Sequence, residues 1–394
     1  MPGLRLACRI AAAVALLIGF GSGAARAQLM IVGNDEKVTF GADGKTVPHP
    51  PGNDSVSIVD ISKPATPRIA ATLPLNNTVV GPPTNLAIHP SGEIALIANS
   101  INAEPDGAGW KNVPDDKVFV IDLKTNPPTV IATVNAGKQP SGMAIAPKGD
   151  LALVANRADG SISVLSIKGK EVKVVDTVSV GAVADSVSAV AITPDGKRAL
   201  VAKAAANKIA LLTIDGDKVS YEKRDLPTGI FPYNVAVAPG GKIALTVDNG
   251  AGGGSDGNVD TVSVIDLEAN PARVIDHVTI GDAPEGLAIS PKGNLAVAIL
   301  LQGSNQAKDS WFYHPGGAVV ALKIDGKKVT NVGEVQVGGL PEGVAFSPNG
   351  DYLYVGNFID QDISILKVDS DKVTDTGQRF KLPGHPASMR SGPQ

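Results

Sequence analysis

Thiols are nearly missing from this chain of 394 residues, which has a single cysteine, Cys8. Cys8 sits in a segment with the three-part layout of a secretory signal. Arg5 and Arg9 make a basic start, 11–20 is an apolar run too short to span a bilayer, and Ala25-Arg26-Ala27 is a small-x-small cleavage site. Residues 1–27 are therefore expected to be removed as a signal peptide, an uncleaved anchor being the alternative. Gln28 would begin a periplasmic or secreted protein without a membrane span. Cys8 precedes the apolar run, so it is badly placed for lipid attachment and leaves with the signal. The mature chain then has no thiol, which excludes disulfides, cysteine-ligated zinc, iron–sulfur clusters, covalently attached c-type haem and cysteine catalysis.

Positive charge is also scarce. Loss of Arg5, Arg9 and Arg26 takes the formal charge from −4 to −7, and no basic stripe offsets it, so a nucleic-acid partner is not expected. Gly-x-Ser-x-Gly and Gly-x-Gly-x-x-Gly are matched only inside one glycine-rich run, at 253–257 and 252–257, and there is no phosphate loop or His-Glu-x-x-His motif, which leaves serine-nucleophile and nucleotide chemistry unsupported. Neither a linker nor a change of composition divides 28–394, so one domain is expected.

What the chain does have is repetition. "NLAIHPSGEIALIAN", "GMAIAPKGDLALVAN", "AVAITPDGKRALVAK", "NVAVAPGGKIALTVD", "GLAISPKGNLAVAIL" and "GVAFSPNGDYLYVGN" align on Pro90, Pro147, Pro194, Pro239, Pro291 and Pro348, at intervals of 45 to 57 residues. Each block reads as a β-hairpin, with period-two apolar runs joined by a turn in which proline pre-sets φ and glycine takes positive φ. Two further apolar runs follow, such as "TVSVIDL" and "RVIDHVTIG". Four strands per repeat at this spacing is the arithmetic of a propeller blade; the coils of a parallel β-helix, the competing repeat fold, are shorter.

A seventh opening motif is split between the ends. "HPASMRSGP" at 385–393 supplies an innermost strand and "LMIVGND" at 29–35 the second. The expected fold is all-β: a seven-bladed propeller of four antiparallel strands per blade, its last blade closed by N- and C-terminal strands, which removes exposed sheet edges.

The motif P-x-G-[VLM]-A-[IF]-x-P-x-G-x-x-[AL]-[LY]-V-[AG]-N, clearest at "LYVGN" and "LALVAN", resembles the YVTN-type β-propeller repeat of secreted bacterial and archaeal proteins over nearly the whole mature chain. WD-repeat, kelch and tryptophan-rich quinone-cofactor propellers match less well. The resemblance implies the fold and leaves function open among binding proteins, surface-layer proteins and lactonase-like enzymes.

Because strands 1 and 2 of a blade are antiparallel, the start of one and the end of the other share a face. The second residue of the opening motif gives Thr84, Ser141, Ser188, Tyr233, Glu285, Glu342 and Ala387 around the channel mouth. The end of strand 2 gives Asn34, Asn99, Asn156, Lys203, Asp248, Leu300 and Asn357, a set read first as turn chemistry. The loops near 35–54, 100–116, 249–260 and 300–317 are long and rise from this face, where they could wall a cleft.

On that face Glu285 and Glu342 fall on adjacent blades. Close approach would raise one pKa, recruit a cation or supply a general base, so they are the catalytic candidates; the alternative is two solvated rim residues. His49, His314 and His385 are the candidates for holding a divalent cation, although no local spacing unites them. His89, in a Pro-x-Gly turn at the opposite end, and His277, in an outer strand, read as structural. "DNGAGGGSDGNVD" at 248–260 has a calcium-like supply of oxygens without the EF-hand spacing, and reads more simply as a flexible loop. In a chain only 4% aromatic, "WFYHP" at 311–315 and Trp110 could offer stacking surfaces or anchor the loops.

The ligand-facing set is therefore Tyr233, Glu285, Glu342, Trp311, His314 and His385. The first functional reading is a binding or scaffold module for a small molecule or a periplasmic protein. The alternative is a lactonase-like hydrolase of the same fold, in which a glutamate serves as general base or holds a divalent metal. A partner to a periplasmic redox enzyme is a third reading.

Overall fold

In the computed structural model, which describes residues 28–250 and 252–392, seven four-stranded antiparallel sheets surround a central channel. The proposed signal segment, 1–27, and Pro393 lie outside the described residues. The innermost strands of blades 1 to 6 are Leu86–Ile88, Pro140–Ile145, Val187–Ile192, Pro232–Val237, Pro284–Ile289 and Pro341–Phe346. Blade 7 is closed as the split repeat requires. Its innermost strand, Pro386–Ser391, pairs with Leu29–Asn34, and Ser55–Asp60 and Arg68–Pro74 complete it.

The burial of each strand follows from the architecture. Blades stack face to face, so an inner strand is covered on both sides and reads as a continuous apolar run: Leu151–Asn156 is buried at every position. The outermost strand of the same blade, Glu171–Ser179, is mostly exposed or half-buried. The core accordingly lies between blades, as where Leu153, Ala155 and Val164 meet Val190 and Val201. At the Pro-x-Gly turns the glycine takes the left-handed conformation expected, for example φ 78° at Gly149 and 72° at Gly350. His89 and His277 are structural, bonded to Ser91 and the Gly149 carbonyl and to Ser263 respectively.

The ring at the end of strand 2 also has a structural role, beyond turn chemistry. Asn34 donates to Ser55 and Ser57, Asn156 to Ser161 and Ser163, and Asn357 to Asp362 and Ser364, so each ties strand 2 to strand 3. Asp248 does the same in reverse, accepting from Thr261 and Ser263. Two of the four long loops are β-hairpins: Val38–Phe40 with Thr46–Pro48, and Ile101–Asp106 with Gly109–Pro114. Among the described residues no helix is long and apolar enough to cross a membrane.

Candidate functional site

Two columns of side chains build the channel mouth. The first is the second residue of the opening motif, Thr84, Ser141, Ser188, Tyr233, Glu285, Glu342 and Ala387. The second is the residue immediately after strand 2: Asp35, Ser100, Arg157, Ala204, Asn249, Leu301 and Phe358. Backbone hydrogen bonds hold this second column against the start of strand 1, as from Arg157 N–H to the Gln139 carbonyl and from Asp35 N–H to the His385 carbonyl. The columns interlock through side chains too. Ser100 Oγ lies 3.1 Å from Ser141 Oγ, and Asn249 donates to the Pro284 carbonyl beside Glu285.

Acidic groups occupy one side of the mouth, with Glu285, Glu342 and Asp35 on consecutive blades 5, 6 and 7. Glu285 and Glu342 are 5% and 3% exposed, so they are not solvated rim residues. Burial pushes the Glu285 carboxyl up to about 7, while a hydrogen bond with Glu342 and the charge of Arg157 act in the opposite sense. Burial and the Glu285 charge hold Glu342 well above the ordinary range, with Asp35 adding to the effect. Burial of both carboxyls and the charge of one on the other oppose full ionisation of the pair near neutrality. The Oε2 atom of Glu342 is buried with no protein partner. Arg157 belongs to the opposite arc of the mouth. It is half-buried, donates from Nε to Ser186 at 2.8 Å and lies 5.8 Å from the centre of the Tyr233 ring. Burial, with the two glutamates, pushes the Tyr233 phenol far up, so it stays neutral.

A strap covers the acidic side. The connection between blades 7 and 1 carries Val79 and Val80 against Leu301, Leu340, Phe358 and Ala387. Its backbone is clamped from below: Val79 N–H donates to Asp35 Oδ2 at 2.7 Å and Asn77 N–H to Asp54 Oδ2 at 3.2 Å. The ammonium of Lys37, fully buried, bridges Asp35 at 3.3 Å and Asp54 at 2.7 Å and donates to the Asn77 carbonyl. Burial raises Asp35 to about 6 despite Lys37 beside it.

The other expected ligand residues are dispersed. His385 hydrogen-bonds Glu36 at 2.9 Å, faces Phe358 at 5.0 Å and lines, with Thr39, Phe40, Gln306 and Tyr313, a cavity of about 860 Å³ between the long loops of blades 5 and 7. Burial opposes ionisation of Glu36, but the bonds from His385 outweigh it and hold its carboxyl below the ordinary value. His49 bonds Thr39 at 2.7 Å, and His314 is exposed. Trp311 is 80% exposed and packs edge-on against Phe312. Trp110 is half-buried in the blade 1 hairpin, opposite Pro105. Of the expected set the structure therefore brings together Glu285, Glu342 and Tyr233, and leaves Trp311, His314 and His385 elsewhere.

His49, His314 and His385 do not converge, and among the described residues no three His, Cys, Asp or Glu side chains gather as ligands. The oxygens of the glycine-rich loop are engaged otherwise: Asp248 with Thr246, Thr261 and Ser263, and Asp260 with the Ala283 amide at 2.8 Å.

Fold and site define the class, a closed seven-bladed propeller with a buried carboxyl pair at its channel mouth. A family model described as "Lactonase, 7-bladed beta-propeller" matches residues 116–253, and no curated protein matches the chain. Among solved structures, a putative 6-phosphogluconolactonase from Bacteroides fragilis superposes with TM-score 0.69 at 17% identity, over 93% of this chain and 98% of that one. The periplasmic gluconolactonase of Pseudomonas aeruginosa gives TM-score 0.65 at 17% identity, over 92% and 98%. Hydrazine synthase of Kuenenia stuttgartiensis gives TM-score 0.57 at 22% identity, over 75% and 79%. At these identities the likeness is one of fold.

Proposed function

We propose that the protein is a hydrolase of small cyclic esters, working at the channel mouth outside the cytoplasm. The observation that carries this reading is the buried carboxyl pair Glu285 and Glu342 on adjacent blades at the channel mouth, with Arg157 on the facing arc. One carboxylate takes a proton from water, whose oxygen attacks the ester carbonyl. The other, protonated, delivers its proton to the ring oxygen as the C–O bond breaks, and a hydroxy acid results. Arg157 is the group available to stabilise negative charge on the carbonyl oxygen. The lactonase model over 116–253 and the gluconolactonase fold neighbours favour lactones of sugar acids as the class. The test is hydrolysis of a panel of aldonolactones. The pair predicts a loss in kcat of about 10²-fold or more in Glu285→Gln and Glu342→Gln, with the fold retained. Activity unchanged in both variants, or none in the wild type across the panel, contradicts the reading.

A second reading, a binding module, is favoured by the strap: Val79 and Val80 pack against Leu301, Phe358 and Ala387 at the mouth, and neither the cavity beside His385 nor the one lined by Arg390 is lined by Glu285 or Glu342. It predicts ligand binding without turnover.

A further inference from the structure

At the other end of the channel, among the Pro-x-Gly turns, lies a second cavity of about 450 Å³. Its walls are the ends of the innermost strands, and the residue four places after the opening position of the strand lines it in every blade but the sixth. That residue is alanine in six blades: Ala87, Ala144, Ala191, Ala236, Ala288 and Ala345. In blade 7 it is Arg390, opposite Ile31 in the blade-closing pair. Apart from Ser391, whose hydroxyl donates to the Phe346 carbonyl at 2.7 Å, Arg390 is the only residue lining this cavity with a polar side chain.

Arg390 is half-buried, and burial pushes its guanidinium down to about 10, with no charge opposing the effect. It remains cationic at neutral pH. Among the described residues no carboxylate pairs with it, whereas Arg68 and Arg379 at the surface have Asp60 and Asp375. Six blades close the same register position with a methyl group, so the fold does not require an unpaired guanidinium there. A cavity within the usual range of about 300–1,000 Å³, walled by apolar side chains and strand backbone with one convergent charged group, is how small-molecule sites are built. A guanidinium fork suits a carboxylate.

We propose that this end of the channel is a second ligand site, distinct from the glutamate pair, which takes a small carboxylate with an apolar body, the acid group on Arg390 and the hydrocarbon against the ring of alanine, valine and isoleucine side chains. The probe is octanoate, with octanol as the uncharged control, titrated calorimetrically into the intact protein. One octanoate should bind per chain, octanol should not, and Arg390→Gln should weaken binding by about tenfold or more, as loss of a charged hydrogen bond does. Ala236→Leu, which keeps the arginine and narrows the channel, should weaken it also and serves if Arg390→Gln does not fold. No saturable binding to the wild type, or unchanged affinity in whichever variant folds, overturns the proposal. Because neither substitution touches Glu285, Glu342 or Arg157, its failure is separable from failure of the hydrolase reading.

Discussion

Asp35 Oδ2 accepts the amide of Val79 at 2.7 Å, so a buried carboxylate at the end of one strand fixes the segment that packs against Leu301, Phe358 and Ala387 at the channel mouth. That carboxylate is in turn held by Lys37, and the same side of the mouth holds the glutamate pair. The strap, the ion triad beneath it and the acidic pair are thus one connected arrangement.

Removing Lys37 should expose how much the triad contributes. Lys37→Met leaves Asp35 and Asp54 buried with no cation, and breaking a buried pair in this way costs about 3–5 kcal/mol. Urea unfolding should show the loss. Lys37→Met/Asp35→Asn/Asp54→Asn, which removes all three charges, should recover part of it.

Stability should also depend on pH in an unusual sense. The folded-state carboxyls of Glu285 and Asp35 lie above their ordinary values, at about 7 and about 6, chiefly through burial. A group raised in this way stabilises the fold below its unfolded pKa, and that contribution is lost as pH rises through the folded value. Melting temperature should therefore fall between about pH 4.5 and pH 8. Glu285→Gln should flatten the decline, and an equally steep decline in that variant counts against the burial argument.

Arg157 lowers the Glu285 pKa by its charge. Arg157→Gln should therefore move the acid limb of the kcat/KM profile to higher pH, in addition to lowering its plateau. A lower plateau with an unmoved limb would mean that Arg157 acts on substrate alone.

The asparagine ring should behave as structure. Asn357→Ala removes bonds to Asp362 and Ser364 and leaves the Gly338 amide without its acceptor, so it should cost about 1–3 kcal/mol in unfolding with kcat unchanged.

The propeller was legible because each blade repeats the same turn chemistry, and even the split blade could be matched by motif. Glu285 and Glu342 were legible for the same reason, being outliers in a column otherwise of small or neutral side chains. Arg157 and Asp35 stand one residue beyond the strand 2 column of Asn156 and Asn34, at a position where the seven blades carry no common residue type to mark them. The strap left no signal either. Its anchors pair Asp35 with Val79 and Lys37 with Asn77, 44 and 40 residues apart, in a connection that no other blade copies. The dispersal of His49, His314 and His385 was equally out of reach, because shared loops define a face and not a meeting point.

The central claim is that Glu285 and Glu342 hold one proton between them at neutral pH. Carbon-13 NMR of the glutamate carboxyls tests it in protein labelled at that carbon, titrated from pH 5 to pH 9. The account predicts a carboxyl signal still protonated at pH 7 that disappears from the spectrum of Glu342→Gln or changes its midpoint in Glu285→Gln. Full ionisation of every glutamate well below pH 7, in the wild type, would contradict it.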